Sequence, residues 1–240
     1  MYIAPQTVQA RNHAIIRLIL TATKINTAAL AQDAKGNTVE ALRLMREVIV
    51  AYPTLYPAAP LVPARYERNM GRLLLYAGQP ERAMPHLLVS HDMFQRLYGD
   101  QHWSVAGALL ELAKAHAHAG QLEQAQARFD QYLALPPLQE ADGRANEAEV
   151  RAVIAAKRGN IGEALLRYVE MEKFNLEAMN PKGTRYWLSM LPRAELLAAR
   201  NLAADRVRSR QLASEILAKV SSVLSADAPI VARLKKLQAP

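Results

Sequence analysis

Apolar and small residues recur along this chain at helical spacing, in runs divided by single turn residues. The stretch from His102 to Pro137 shows this most plainly. Leu109, Leu112, Ala113 and His116 fall on one face of a first helix, which Ser104 is placed to cap and Gly120 to end. Leu122, Ala125, Phe129, Tyr132 and Leu133 share one face of a second helix, stopped by Pro136 and Pro137. Two antiparallel helices joined by so tight a turn close only where side chains are short, which assigns Ala113 and Ala125 to the crossing. The preceding stretch repeats the design: Met70, Gly71 and Leu74 lead to Gly78, and Pro80 opens a second helix holding Ala83 and Leu87. Pro85, one turn inside that helix, should tighten or kink it. Gly36 precedes Thr38, Ala41, Met45 and Val48, with Pro53 as terminator, and Ala152 leads to Gly159, Ile161, Ala164 and Tyr168. No run alternates β-branched residues between turn signals, so no strand is expected.

The turn residues Gly36, Gly78, Gly120, Gly159 and Asn201 stand 42, 42, 39 and 42 residues apart. Four carry an alanine five residues on (Ala41, Ala83, Ala125, Ala164), and the fifth carries Arg206 instead. A period near 40 with helical texture between marks predicts a stacked helical array. The expected fold is all-α: an α-solenoid of about five antiparallel helix pairs. The units fall at about residues 15–53, 64–97, 104–137, 145–179 and 184–222, within one domain of 1–240. A short amphipathic helix over 228–237 would cap the last apolar face. Two places depart from the pattern. Pro192 falls inside the first helix of the fifth unit, and Pro53, Pro57, Pro60 and Pro63 predict an extended connector.

These residues resemble the tetratricopeptide repeat: small residue in the first helix, turn glycine, alanine in the second helix, a large apolar residue after it, and a terminal proline. The 42-residue spacing is similar to the kinesin-light-chain-type version. Its Gly-x-Asp-His-Pro linker is echoed by Tyr98 to Ala106 and by Ser225, Ala226, Asp227, Ala228 and Pro229. The resemblance covers about residues 15–235, although Thr38 and Pro80 replace an apolar residue after the turn and most units lack an early bulky aromatic. Sequences of this texture are similar to C-terminal sensory or docking regions of bacterial serine/threonine kinases and winged-helix regulators. The resemblance implies a right-handed superhelix that serves as a non-enzymatic scaffold or adaptor and binds a protein or peptide along an inner wall of first helices. Carried over, exposed inner positions lie 13, 10, 9, 6 and 3 residues before each turn residue. They are Arg65, Arg68, Asn69, Arg72 and Leu75 in the second unit and Gly107, Leu110, Glu111, Lys114 and Ala117 in the third. The fourth gives Asn146, Glu149, Val150, Val153 and Ala156. The partner-binding set is then Arg65, Arg68, Asn69, Arg72, Glu111 and Lys114. Its cationic bias suits an acidic or carboxylate-terminated segment, since arginine grips carboxylates bidentately. The family's chaperone-tail clamp is not reproduced.

Composition narrows the alternatives. The absence of cysteine excludes disulfides, thiolate metal sites and cysteine nucleophiles, and suits a cytoplasmic protein. No phosphate-binding loop, nucleophile elbow or His-Glu-x-x-His motif occurs, so no catalytic residue and no cofactor is expected. His116 and His118 point to different helix faces and His86 and His91 are five apart, spacings that suit no metal. His116 reads as a partly buried packing residue, Trp103 and Trp187 as structural packing, and Glu147 and Glu149 as a solvated face. Arg17 and Lys24 interrupt the apolar stretch near Ala14–Ala22, so neither a signal core nor a membrane span of about 20 residues is expected. The net charge of +8 leaves a rival reading open. Arg200, Arg206, Arg208, Arg210, Lys219, Arg233, Lys235 and Lys236 could serve a nucleic-acid-associated regulator, yet Arg206, Arg208 and Arg210 alternate around a helix and form no single stripe. A third, minor reading is an enzyme with a site between repeats. Degenerate first and last units leave apolar faces through which copies of the chain could self-associate.

Overall fold

The structure, a computed structural model, describes residues 5–55, 59–136, 141–178, 183–200, 202–226 and 228–239. Pro57, Pro137, Asn201 and Asp227, all used in the sequence reading, lie outside the described residues. The helices are α1 (Pro5–Ala34), α2 (Thr38–Leu55), α3 (Leu61–Tyr76), α4 (Pro80–Tyr98), α5 (Trp103–His118) and α6 (Leu122–Leu133), followed by α7 (Ala141–Lys157), α8 (Ile161–Ala178), α9 (Thr184–Leu188), α10 (Leu191–Arg200), α11 (Ala203–Val220) and α12 (Pro229–Gln238). No strand occurs among the described residues. The fold is the all-α solenoid that the spacing predicts.

The turns follow from backbone chemistry. Gly36, Gly78, Gly120 and Gly159 have φ values of 73°, 68°, 77° and 80°, which only glycine adopts without strain. Three of these turns share one hydrogen-bond pattern. The N–H groups of Gln79, Gln121 and Asn160 donate to Leu74, His116 and Ala155, and those of Gly78, Gly120 and Gly159 to Leu75, Ala117 and Ala156. This is the Schellman arrangement, which satisfies carbonyls that a helix end leaves open. The next helix begins at once: Ala83, Ala125 and Ala164 donate to the carbonyls of Gln79, Gln121 and Asn160 at 3.1, 2.9 and 3.0 Å.

Those alanines sit where the helices meet. Ala41, Ala83, Ala125 and Ala164 each have 0% exposure. Seven residues before the turn positions stand Ala29, Gly71, Ala113, Ala152 and Ala194, all buried. Nine residues after the glycines, Met45, Leu87, Phe129 and Tyr168 fill the space beside them. At Gly71 a Cβ would lie 2.5 Å from Cγ and Cδ2 of Leu87, so even a methyl group does not fit without rearrangement.

Two compact units divide the chain, one of Met1–Asp33 and Thr38–Ala108, the other of Ala34–Asn37 and Leu109–Pro240. In the first, α2 packs on α3 and α3 on α4, where the buried Ser90 hydroxyl donates to the Ala64 carbonyl at 2.8 Å. Helix α4 runs on through Pro85. Most described residues of the expected extended connector are helical instead. Helix α2 continues to Leu55, two residues past Pro53, and α3 starts directly after Pro60 with Pro63 buried in its first turn. Proline is compatible there because first-turn N–H groups have no helical partner anyway. The cap of α5 also differs from expectation. His102 supplies it, its Nδ1 accepting the Ser104 N–H at 3.1 Å, while Ser104 itself is buried. Within α1, Asn12–Ala34 is long and apolar enough by composition to cross a membrane, correcting the expectation that nothing approached a span. Isoleucines, leucines and alanines keep its mean hydropathy high despite Arg17 and Lys24.

In the second unit, α6 packs on α7, α7 on α8, α8 on α10, and α10 on α11. The fifth pair has a broken first helix. Pro192 cannot donate to the carbonyl of Leu188, the last residue of α9, and falls in the first turn of α10. Its second helix is shifted along the crossing: Ser209, not Arg206, is buried against α10, its hydroxyl donating to the Ala194 carbonyl at 2.7 Å. Tyr186, Leu191, Leu212, Ile216 and Val220 build the core there, and Val231 and Leu234 of α12 close over it. Glu172 of α8 joins Arg193 of α10 through two hydrogen bonds of 2.7 Å. Burial raises the Glu172 carboxyl above the usual carboxylate range, against the pull of Arg193.

Two outcomes test this packing. Ala125→Leu should lower the urea-unfolding free energy by about 1–3 kcal/mol by overfilling a closed crossing. Ala127→Leu, exposed on the same helix, should change it by less than about 0.5 kcal/mol. Arg193→Met should cost about 3–5 kcal/mol at neutral pH by stranding Glu172. Because the folded state then holds the Glu172 proton more tightly than the unfolded chain, that deficit should shrink as pH falls toward about 4.3. A deficit independent of pH in chemical-denaturation curves would contradict the assignment.

Candidate functional site

Residues 65, 68 and 72 follow i, i+3, i+7 spacing and so lie along one face of α3. Arg65 is exposed, and Arg68, Asn69 and Arg72 are half-buried. Their surroundings explain the difference. The Arg68 guanidinium lies over Gly107, where a Cβ would come within 2.8 Å of Nη2. Asn69 Nδ2 donates to Asn26 Oδ1 of α1 at 2.9 Å, and the hydroxyls of Thr23 and Tyr66 meet at 3.1 Å beside it. Arg72 Nη2 donates to the Tyr76 hydroxyl at 3.3 Å. The α3 row is thus an ordered cationic surface whose outermost group is Arg65.

The other two residues of the expected set behave differently. Glu111 and Lys114 were expected to be exposed; they are buried, at 2% and 3% exposure. Lys114 Nζ lies 2.9 Å from Glu149 Oε2, 3.5 Å from Glu111 Oε2 and 3.5 Å from Asn146 Oδ1. The reason is the close approach of α5 and α7. A lysine six residues before one turn reaches a glutamate ten residues before the next, so the inner face at this point is filled by ion pairs. Gly107, Leu110, Ala117, Val150 and Val153, also expected on an open wall, are buried as well. The sequence carried a signal for this: a cation and an anion at wall positions of successive units, 35 residues apart.

Glu147 and Glu149 are likewise engaged, not merely solvated. Glu147 accepts from the Tyr132 hydroxyl at 3.0 Å and from Arg151 at 2.8 Å, and the Arg151 guanidinium lies 4.9 Å from the Phe129 ring centroid. His116 bridges its own turn, Nδ1 to Gln121 Oε1 at 2.7 Å, and is half-buried as expected. His86 Nδ1 lies 2.6 Å from the buried Glu67 carboxylate. Trp187 packs against the C-terminal core, but Trp103 is 64% exposed, correcting its assignment to packing. It adjoins His102, which stacks on Tyr98 at 4.1 Å, so an aromatic surface stands at the α4–α5 junction. Among the described residues, no group of three or more His, Asp or Glu side chains could hold a metal ion.

Residues 63–137 match the tetratricopeptide repeat family model. In fold the chain is similar to BtubC (BKLC) from P. vanneervenii, with 15% identity over 97% of this chain and 85% of that one and a TM-score of 0.52. It is also similar to a variant of the Podosopora anserina putative kinesin light chain with nearly identical TPR-like repeats. That comparison has 17% identity over 83% of this chain and 94% of that one, with a TM-score of 0.50. No curated protein matches this chain.

The contrast between the two halves of the expected set is directly measurable. Lys114→Met should lower stability by about 3 kcal/mol or more, because Glu111 and Glu149 lose their buried cation. Arg65→Ala should stay within about 0.5 kcal/mol of the parent chain. Equal effects in denaturant melts would contradict the burial pattern.

Proposed function

We propose that this chain, whose residues 63–137 are tetratricopeptide repeats in a kinesin-light-chain-like fold, is a non-enzymatic scaffold that binds an acidic peptide segment along α3. Repeats of this family generally mediate protein–protein interaction. The observation that carries the reading is the row Arg65, Arg68 and Arg72 on the first helix of a matched pair, with Asn69 beside it. A row of guanidinium groups at helical spacing favours an extended partner bearing carboxylates at intervals, with the exposed Arg65 placed to grip one through its planar N–H fork. Exposed pairs contribute only about 0–1 kcal/mol each, so affinity must come from several acting together with apolar anchors. Glu111 and Lys114, being occupied with each other and with Glu149, serve the wall as structure and leave contact with a partner to the α3 row.

Selection from a random 12-residue peptide library should enrich sequences with two or more carboxylates. Their affinity, measured by fluorescence anisotropy, should fall at least about tenfold on Arg65→Glu/Arg72→Gln. It should decline only gently with salt, unlike a polyphosphate ligand. Undiminished binding by a variant with unchanged circular dichroism would remove α3 as the site.

A further inference from the structure

Helix α1 is as apolar as a core helix, yet only 11% of its most apolar stretch is buried. A helix that is apolar around most of its circumference is ordinarily covered by protein or by lipid. The covered side of α1 is narrow. Ala22 and Ala29 are buried, Thr23 meets Tyr66 of α3, and Asn26 meets Asn69. On the opposite side Ile16, Leu20, Thr27 and Ala31 follow i, i+4, i+11 and i+15 spacing and are all exposed, Ile16 at 51% and Leu20 at 56%. This row runs about 22 Å along the helix, at about 1.5 Å per residue.

The charge beside this row has one sign. Arg17 and Lys24, seven residues apart and both exposed, form a second row next to Leu20 and Ala31. No aspartate or glutamate occurs from residue 1 to residue 32, so α1 itself carries no anion ahead of Asp33. This combination discriminates among the surfaces able to cover the face. A second copy of α1 would set cation row against cation row. Crossing a bilayer would take Thr23 and Asn26 away from their α3 partners and place them in hydrocarbon, which is costly. Lying at the headgroup level suits both rows. The apolar side chains enter the acyl boundary, and the long stems of Arg17 and Lys24 carry their charges out to lipid phosphates.

We propose that the outer face of α1 docks in the plane of an anionic lipid bilayer and holds the repeat array at a membrane surface. In that position α1 retains its contacts with Tyr66 and Asn69, so docking requires no unfolding of the first pair. The negative potential of anionic headgroups draws in Arg17 and Lys24, an attraction that fades within a Debye length and weakens with salt. Ile16 and Leu20 supply the apolar contact that neutral and anionic lipids share.

Vesicles of equimolar phosphatidylglycerol and phosphatidylcholine are the probe, cosedimented with the full chain at low ionic strength and compared with vesicles of phosphatidylcholine alone. The parent should bind the mixed vesicles at least about tenfold more tightly. Ile16→Glu/Leu20→Glu and, separately, Arg17→Gln/Lys24→Gln should each weaken that binding at least about tenfold with circular dichroism unchanged. Leu166→Glu/Val169→Glu, the same kind of change at exposed positions of α8, should bind like the parent. Because the chain has no cysteine, Leu20→Cys accepts a single environment-sensitive dye, whose emission should move to the blue on mixed vesicles. The same dye on Leu166→Cys should not respond. A parent that fails to sediment with mixed vesicles overturns the proposal, as does equal weakening by the α1 and α8 variants. A parent that is dimeric in analytical ultracentrifugation, with Ile16→Glu/Leu20→Glu monomeric yet still bound to vesicles, overturns it in favour of a second copy.

Discussion

Close approach of paired helices is the constraint on which the rest of this structure depends. A turn closed by one glycine leaves no distance over which two helices can diverge, so short side chains must face each other at once. The buried alanines five residues after each glycine, with Ala29, Gly71, Ala113 and Ala152 on the opposing helices, meet that need. Larger residues are excluded from the crossing and displaced one turn along, where Met45, Leu87, Phe129 and Tyr168 bury their area. Each pair is thereby locked by geometry, and stability accumulates from neighbour to neighbour as in other repeat arrays.

Polar chemistry enters where first helices of adjacent pairs face one another. Lys114 with Glu149 and Glu111, and Asn69 with Asn26, are examples. Removing charges from water is costly, and mutual attraction offsets that cost only when partners and hydrogen bonds are complete. The Glu172–Arg193 pair shows the balance, since burial raises the carboxyl while two hydrogen bonds oppose it. Arg65 is exposed and keeps its hydration, which sets it apart from the buried Lys114 on the wall of α5.

The fold was legible because its main constraint is local. A glycine at positive φ, an alanine five residues later and a large residue four beyond that are short-range marks, and the structure repeats them in four pairs. Proline was harder to read. Pro60 and Pro63 stand at the start of α3, where their missing N–H groups cost nothing, yet in sequence they resemble an extended connector. The wall was legible only in part. Which positions face inward follows from helical phase, but whether such a position is open depends on what the neighbouring pair places opposite it. Arg65 and Lys114 carry the same charge on equivalent faces, and only one meets a glutamate across the gap.

The wall pairings also give each unit an address. Asn26 matches Asn69, Gly107 makes room for Arg68, and Lys114 requires Glu149, so each junction uses a different chemical key. Exchange among the first four units by recombination would preserve each turn glycine and the alanine five residues after it, yet would set a lysine against an asparagine or an arginine against a side chain. Although built from near-equivalent parts, the array therefore has a fixed order, and lengthening it by simple duplication would introduce a junction with mismatched keys.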